Sequence, residues 1–158
     1  MTDPCRYPRR PPRLVLFQGV RPFYFVTFNC AHRAGMLDNA RIHSSFEAFC
    51  RRAEAEHGIA VGRYVIMPDH VHLFVSLPEQ PAVLTRWVAS LKTVLGKTLL
   101  ARGWNKPHWQ PGFFDHVLRS AESTSQKWEY VRNNPVRAGL CEHPEQWPWQ
   151  GEIIRLEY

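Results

Sequence analysis

The stretch MPDHVHLFV, residues 67–75, sets two imidazoles one residue apart inside a run that otherwise reads as a buried strand. On a strand, alternate residues project to the same face. His70 and His72 therefore point together, while Val71, Leu73 and Val75 point the other way. Two same-face imidazoles suit two ligands of one metal ion; the plainer alternative is a pair of hydrogen-bonded polar groups on a half-exposed strand. A second set of candidate groups lies in KWEYVRNNPVRAGL. Tyr130 and Asn134 are four apart, so on a helix both can face a sheet, and Lys127 precedes the tyrosine by three on the same side. A tyrosine considered alone is most often a packing residue with a hydrogen-bonded hydroxyl.

The elements that must position these groups follow from periodicity. RPFYFVTFNC places Phe23, Phe25 and Thr27 on one side and Tyr24, Val26 and Phe28 on the other, which predicts a strand apolar on both faces and central in its sheet. Ile42, Phe46, Phe49 and Ala53 recur at helical spacing, with Asp38 as the expected N-cap and Gly58 as the stop. IAVGRYVIM and HVHLFVSL are two strands joined by the turn pair Pro68–Asp69, an antiparallel hairpin. A second helix carries Leu84, Trp87, Val88, Leu91, Leu95 and Leu99 on one stripe, with Arg86, Lys92, Lys97 and Arg102 elsewhere. FFDHVLR reads as a fourth strand. It carries His116, a supporting partner of the site or, as favoured here, a core residue. Ser120 can cap a third helix, and Pro135 should end it at Asn134 by biasing that residue away from helical geometry. Strand, helix, two strands, helix, strand, helix predicts an α+β fold, a ferredoxin-like antiparallel sheet with helices packed on one face.

The chain has 158 residues, 44% of them apolar and 13% aromatic, enough to fill one core. Three regions are expected: a basic Pro/Arg-rich arm over 1–20, a domain over 21–140, and an acidic segment over 141–158. No apolar stretch approaches a membrane span and no secretory signal opens the sequence, so a cytoplasmic protein with no membrane partner is expected. The four cysteines are scattered without a CxxC, which argues against a disulfide framework or a cysteine zinc site. The net charge is +6; the last 18 residues carry −3, which leaves +9 for the first 140. That balance favours a polyanionic partner. Arg9, Arg10 and Arg13 in the arm, with Arg86, Lys92, Lys97 and Arg102 on the second helix, are the candidate phosphate contacts.

As an ordered set, the apolar-His-apolar-His strand around a Pro-Asp turn, then WQPGFFDHVLR, then YVRNNPVRAGL, resembles the single-tyrosine HUH transposases. The closer likeness is to the REP-associated tyrosine transposases, and it runs from about Phe23 to Leu140. The resemblance implies that His70 and His72 bind a divalent cation, that Asn134 completes the metal site, and that Tyr130 is the nucleophile. A metal would polarise a phosphodiester and neutralise its developing charge. A phenol with a reference pKa near 10 needs a nearby cation to favour phenolate, and the metal or Lys127 could supply it. Two imidazoles and an amide favour Mn²⁺ or a later transition metal, with Mg²⁺ admitted by its availability.

The implied substrate is single-stranded or hairpin DNA, cut by a monomer or homodimer with a 5′-phosphotyrosine intermediate and a free 3′-hydroxyl. Relatives can use a C-terminal extension for DNA contact. Here that segment is acidic, and Trp147 and Trp149 read instead as a flap packed on the domain. Two other functions remain open on the residues alone: a catalytically inactive hairpin-DNA-binding module, and a metal-dependent phosphodiesterase that uses water and leaves Tyr130 dispensable.

Overall fold

The computed structural model describes residues 23–78 and 82–156. Five strands form one antiparallel sheet: β1 (Phe23–Asn29), β2 (Ala60–Ile66), β3 (His70–Ser76), β4 (Phe114–Leu118) and β5 (Gln150–Glu152), in the order β4-β1-β3-β2-β5. Helices α1 (Ala40–His57), α2 (Ala82–Ala101), α3 (Ala121–Arg132) and α4 (Asn134–Arg137) complete the α+β architecture. Among the described residues no helix is long and apolar enough to cross a membrane.

The main core lies between one sheet face and the helices α1 and α2. Tyr24, Val26 and Phe28 of β1 and Val71, Leu73 and Val75 of β3 meet Ile42 and Phe46 of α1 and the whole expected stripe of α2 from Leu84 to Leu99. All are buried, and each fully buried Leu, Val or Phe contributes roughly 1.5–3 kcal/mol relative to exposure. Helix α1 ends at Gly58, whose φ of 67° is open to glycine at little cost. Its cap is not Asp38 but the next residue: the Asn39 side chain accepts from the Ile42 amide at 3.0 Å. Both types cap well, so residue type alone could not choose between neighbours.

The opposite sheet face carries a smaller core of Phe23, Phe25, Val65, Phe74, Leu118, Val131 and Trp147. Helix α3 packs there, so the helices divide between the two faces instead of sharing one. Ser120 caps α3, with its side chain and that of Ser123 each accepting from the other's backbone amide. The helix ends at Arg132, and Asn133 separates it from α4. Asn134 is helical after all, because Pro135 sits in the first turn of a new helix, where a missing N–H costs nothing. The sequence reading also lacked β5, whose three residues pair with β2 through Arg63, Tyr64 and Val65. Trp147 fixes this segment from just upstream by donating its indole N–H to the Ile66 carbonyl at 2.9 Å.

Backbone hydrogen bonds fix the β2–β3 hairpin at the end of the sheet that carries His70 and His72. Met67 donates to the His70 carbonyl across the Pro68–Asp69 turn at 2.8 Å. The turn's own carbonyls accept from Cys30, Met36 and Leu37, so it is fixed from outside as well as within.

Candidate metal and nucleophile site

The period-two alternation of β3 sends His70 and His72 to the face opposite the main core, next to Thr27 and Asn29 of β1. Their Nε2 atoms lie 3.1 Å apart. The Asn134 side-chain nitrogen is 3.1 Å from His70 Nε2 and 2.9 Å from His72 Nε2. His70 Nδ1 lies 2.7 Å from Asp69 Oδ1, and His72 Nδ1 lies 2.7 Å from Thr27 Oγ1. One tautomer assignment satisfies the contacts to Asp69, Thr27 and Asn134 and leaves the two Nε2 lone pairs side by side, 3.1 Å apart. Each Nδ1–H donates, to the Asp69 carboxylate or the Thr27 hydroxyl, and each Nε2 offers a lone pair to the Asn134 amide protons.

Two lone pairs therefore face one point, with only an amide between them. That donor set fits a divalent cation: neutral imidazoles held by outer partners, and an amide that can present oxygen on turning over. Among the described residues no group of three or more His, Cys, Asp and Glu could hold a metal, so the two histidines and the amide are the alternative set. Burial pushes the His70 imidazole below its ordinary range despite the opposing Asp69 carboxylate. For His72, burial comes first, then the neighbouring His70, Lys127, Arg137 and Arg33, and its pKa is pushed down to about 3. The neutral, metal-binding form of His72 is thus favoured at neutral pH.

Arg33 reaches the site from a 3₁₀ turn over Ala31–Arg33. It donates through Nε to Asp69 Oδ2 at 2.8 Å while Asp69 Oδ1 holds His70. Both His32 and Arg33 adopt positive φ, 55° and 52°, a conformation costing L-residues of order 1 kcal/mol or more. The Arg33–Asp69 pair offsets part of that cost.

Tyr130 lies on the last turn of α3 and is 61% exposed. The Arg137 guanidinium stacks over its ring, 3.9 Å from the centroid. Lys127 Nζ lies 5.2 Å from the centre of the Phe25 ring, which itself stacks on His72 at 5.3 Å and 23°. Lys127 thus approaches the histidine face through an aromatic ring.

The structure brings together His70, His72 and Asn134 and sets Lys127 close by. It does not bring His116 into the core: on edge strand β4, that side chain is exposed. β4 lies at the margin of the sheet, and among the described residues α3 covers only its far end, at Leu118. Asp69, Thr27, Arg33 and Arg137 were not anticipated as site residues. Arg86 and Lys97 are exposed on α2, and Arg102 just beyond it, while the apolar stripe of that helix faces the main core. Lys92 is half-buried. It donates to the carbonyls of Gln110 and Gly112, and burial pushes its pKa down. Lys92 and Lys97 line, with Lys106, Pro107, His108 and Trp109, a cavity of about 580 Å³. Arg9, Arg10 and Arg13 lie outside the described residues.

The chain belongs to the IS200-like transposase family, whose model matches residues 23–134. It is 24% identical over 127 residues to the REP-associated tyrosine transposase of Escherichia coli K12, covering 80% of this chain and 73% of that protein. A provisionally named REP-associated tyrosine transposase of Haemophilus influenzae is 32% identical over 94 residues, 53% of each chain, so the match spans about half the length of that relative. The fold is similar to the solved structure of a REP-associated tyrosine transposase bound to a REP hairpin. That match has a TM-score of 0.67 and 21% identity, with 85% of this chain and 81% of the other covered.

Proposed function

We propose that this chain is a metal-dependent DNA strand transferase that cuts single-stranded DNA beside a hairpin through Tyr130, with residues 21–140 as the working domain. The carrying observation is the convergence of His70, His72 and Asn134 on one point, one helical turn from an exposed tyrosine. The hairpin bound to the structural neighbour supports hairpin DNA as the partner. A divalent ion held by these three residues, Mg²⁺ or Mn²⁺, would polarise a non-bridging phosphate oxygen and offset developing charge.

The chain's own groups do the rest. Asp69 and Thr27 keep both imidazoles in the tautomer that aims Nε2 at the site. Arg137 holds the Tyr130 ring from one side and, with Arg33 and Lys127, supplies positive charge for the scissile phosphate. The Tyr130 oxygen forms a bond to phosphorus as the bond to the 3′-oxygen breaks. The phenol proton leaves to solvent, and the departing oxygen takes up a proton as a free 3′-hydroxyl. One phosphate diester is exchanged for another, so a later 3′-hydroxyl can reverse the step without a nucleotide cofactor.

The test uses a 5′-labelled DNA hairpin with randomised unpaired flanks and Mn²⁺ or Mg²⁺. The label should appear on a free fragment ending in 3′-hydroxyl, with the downstream fragment migrating with the denatured protein. Tyr130→Phe removes only an exposed oxygen, so the fold and DNA binding should survive while adduct and cleavage vanish. Cleavage by Tyr130→Phe with unchanged metal dependence would make water the nucleophile and overturn the reading.

A further inference from the structure

Strand β4 presents a feature that the proposed chemistry does not use. Its residues alternate between faces, and Phe114, His116 and Leu118 share the face of the histidines. The register makes this explicit. Phe114 pairs with Thr27, and Thr27 with His72, so these three form one row across the sheet. His116, Phe25 and Phe74 form the next row.

At the far end of β4, Leu118 is buried with Phe23 in the smaller core on the α3 side of the sheet. Toward the site this cover runs out: His116 is exposed and Phe114 is 57% exposed. A large apolar ring so exposed on an edge strand brings no core stability and invites unwanted strand pairing, a position where charged residues are the usual choice. Neighbouring strands lie about 4.8 Å apart, so the Phe114 backbone sits roughly 9–10 Å from that of His72. Successive same-face residues on β4 are about 6.8 Å apart.

We propose that Phe114 and His116 are a stacking platform for two successive unpaired bases of the DNA strand whose phosphate is held at His70 and His72. The inference rests on the strand-transferase reading and adds to it the surface that takes the bases beside the cut. An aromatic ring offers any base a π-face, which suits unpaired DNA and not a closed duplex. Charge selects this occupant over an apolar protein partner. Three cations lie around this end of the sheet, Arg33 paired with the Asp69 that holds His70, Lys127 over the Phe25 ring and Arg137 over the Tyr130 ring, and they complement a phosphate backbone threaded past it. Phe114 and His116 are specificity-determining residues for the flank, and neither takes part in the exchange at phosphorus.

The experiment uses the full chain carrying Tyr130→Phe, so that no strand is cut. It uses DNA hairpins with an unpaired flank bearing 2-aminopurine at one position per oligonucleotide, scanned along the flank. Binding should quench the probe at one or two adjacent positions only. Phe114→Ala should remove the quench at one of them and weaken flanked hairpins about tenfold, while leaving flankless hairpins unaffected. Phe114→Trp should restore both signals. Because the ring is exposed, thermal melting should be unchanged, which separates loss of stacking from loss of fold. Unchanged quench and affinity in Phe114→Ala would overturn the platform. So would a wild-type dimer that Phe114→Ala dissociates, since the ring would then serve strand-to-strand self-association. If the strand-transferase reading fails, wild-type protein forms no adduct on the same oligonucleotides whatever the quench pattern, so the two failures are distinguishable.

Discussion

Thr27→Val isolates the bond that holds His72 in its tautomer. Valine keeps the branched shape and strand preference of threonine, so the sheet row from Phe114 through residue 27 to His72 is preserved. What disappears is the hydroxyl 2.7 Å from His72 Nδ1. The imidazole is largely buried, and an orphaned buried N–H costs about 1–3 kcal/mol. At roughly 2–4 °C per kcal/mol for a chain of this size, a 2 kcal/mol loss lowers the melting temperature by about 4–8 °C. The functional effect should be larger than the structural one. Without its anchor the ring can rotate or exchange tautomers, and losing such an outer partner typically weakens metal affinity about 10–100-fold. Titration of the protein with Mn²⁺ alone, followed by calorimetry or electron paramagnetic resonance, reads this directly, with urea unfolding alongside. Thr27→Ser retains the hydroxyl and should stay near wild type on both measures. If Thr27→Val binds Mn²⁺ and unfolds like wild type, the Thr27–His72 bond does not organise the site.

Three further outcomes are expected. Gly151→Ala should destabilise by roughly 1–3 kcal/mol, since a Cβ there would lie 2.7 Å from the Tyr64 hydroxyl; adding Tyr64→Phe removes that oxygen, so the double variant should lose less than the sum in urea melts. Native protein treated with iodoacetamide at pH 8 should show Cys141 alkylated but not Cys30 or Cys50 by peptide mass. Both protected thiols are buried, and that of Cys30 is pushed up to about 12, chiefly by burial. The +9 carried by the first 140 residues predicts that log affinity for unpaired DNA falls with log salt by roughly 0.7 per phosphate neutralised, and a flat anisotropy titration would contradict it.

The sequence was informative where one element defines its own faces. The alternation in HVHLFV placed both histidines away from Val71 and Leu73, and the α2 stripe was buried as its spacing required. Residues supplied by pairing between distant elements were much harder to see. Thr27 shared a side with Phe25 in the strand pattern, but nothing local says that β1 pairs with β3 in the register setting Thr27 beside His72. Asp69 was read only as a turn former. Its second role depends on the rotamer reaching His70 and on Arg33, presented from a turn with positive φ that its sequence does not announce. His116 was misjudged because burial of β4 depends on how far along the strand α3 extends. Strand β5 escaped because Gln-Gly-Glu has neither the length nor the apolar content of a strand; Trp147 and the β2 edge create it.

The sequence separation within the site also bears on when it comes into being. His70 and His72 ride on a hairpin closed by a two-residue turn, among the fastest structures a chain can form. Asn134 joins them from 64 and 62 residues away, so its arrival requires β4 and α3 to have docked. On a growing chain the imidazole pair can therefore exist well before the tyrosine and asparagine emerge. On the proposed function, the ability to cut DNA would be reserved for a chain whose sheet is already assembled.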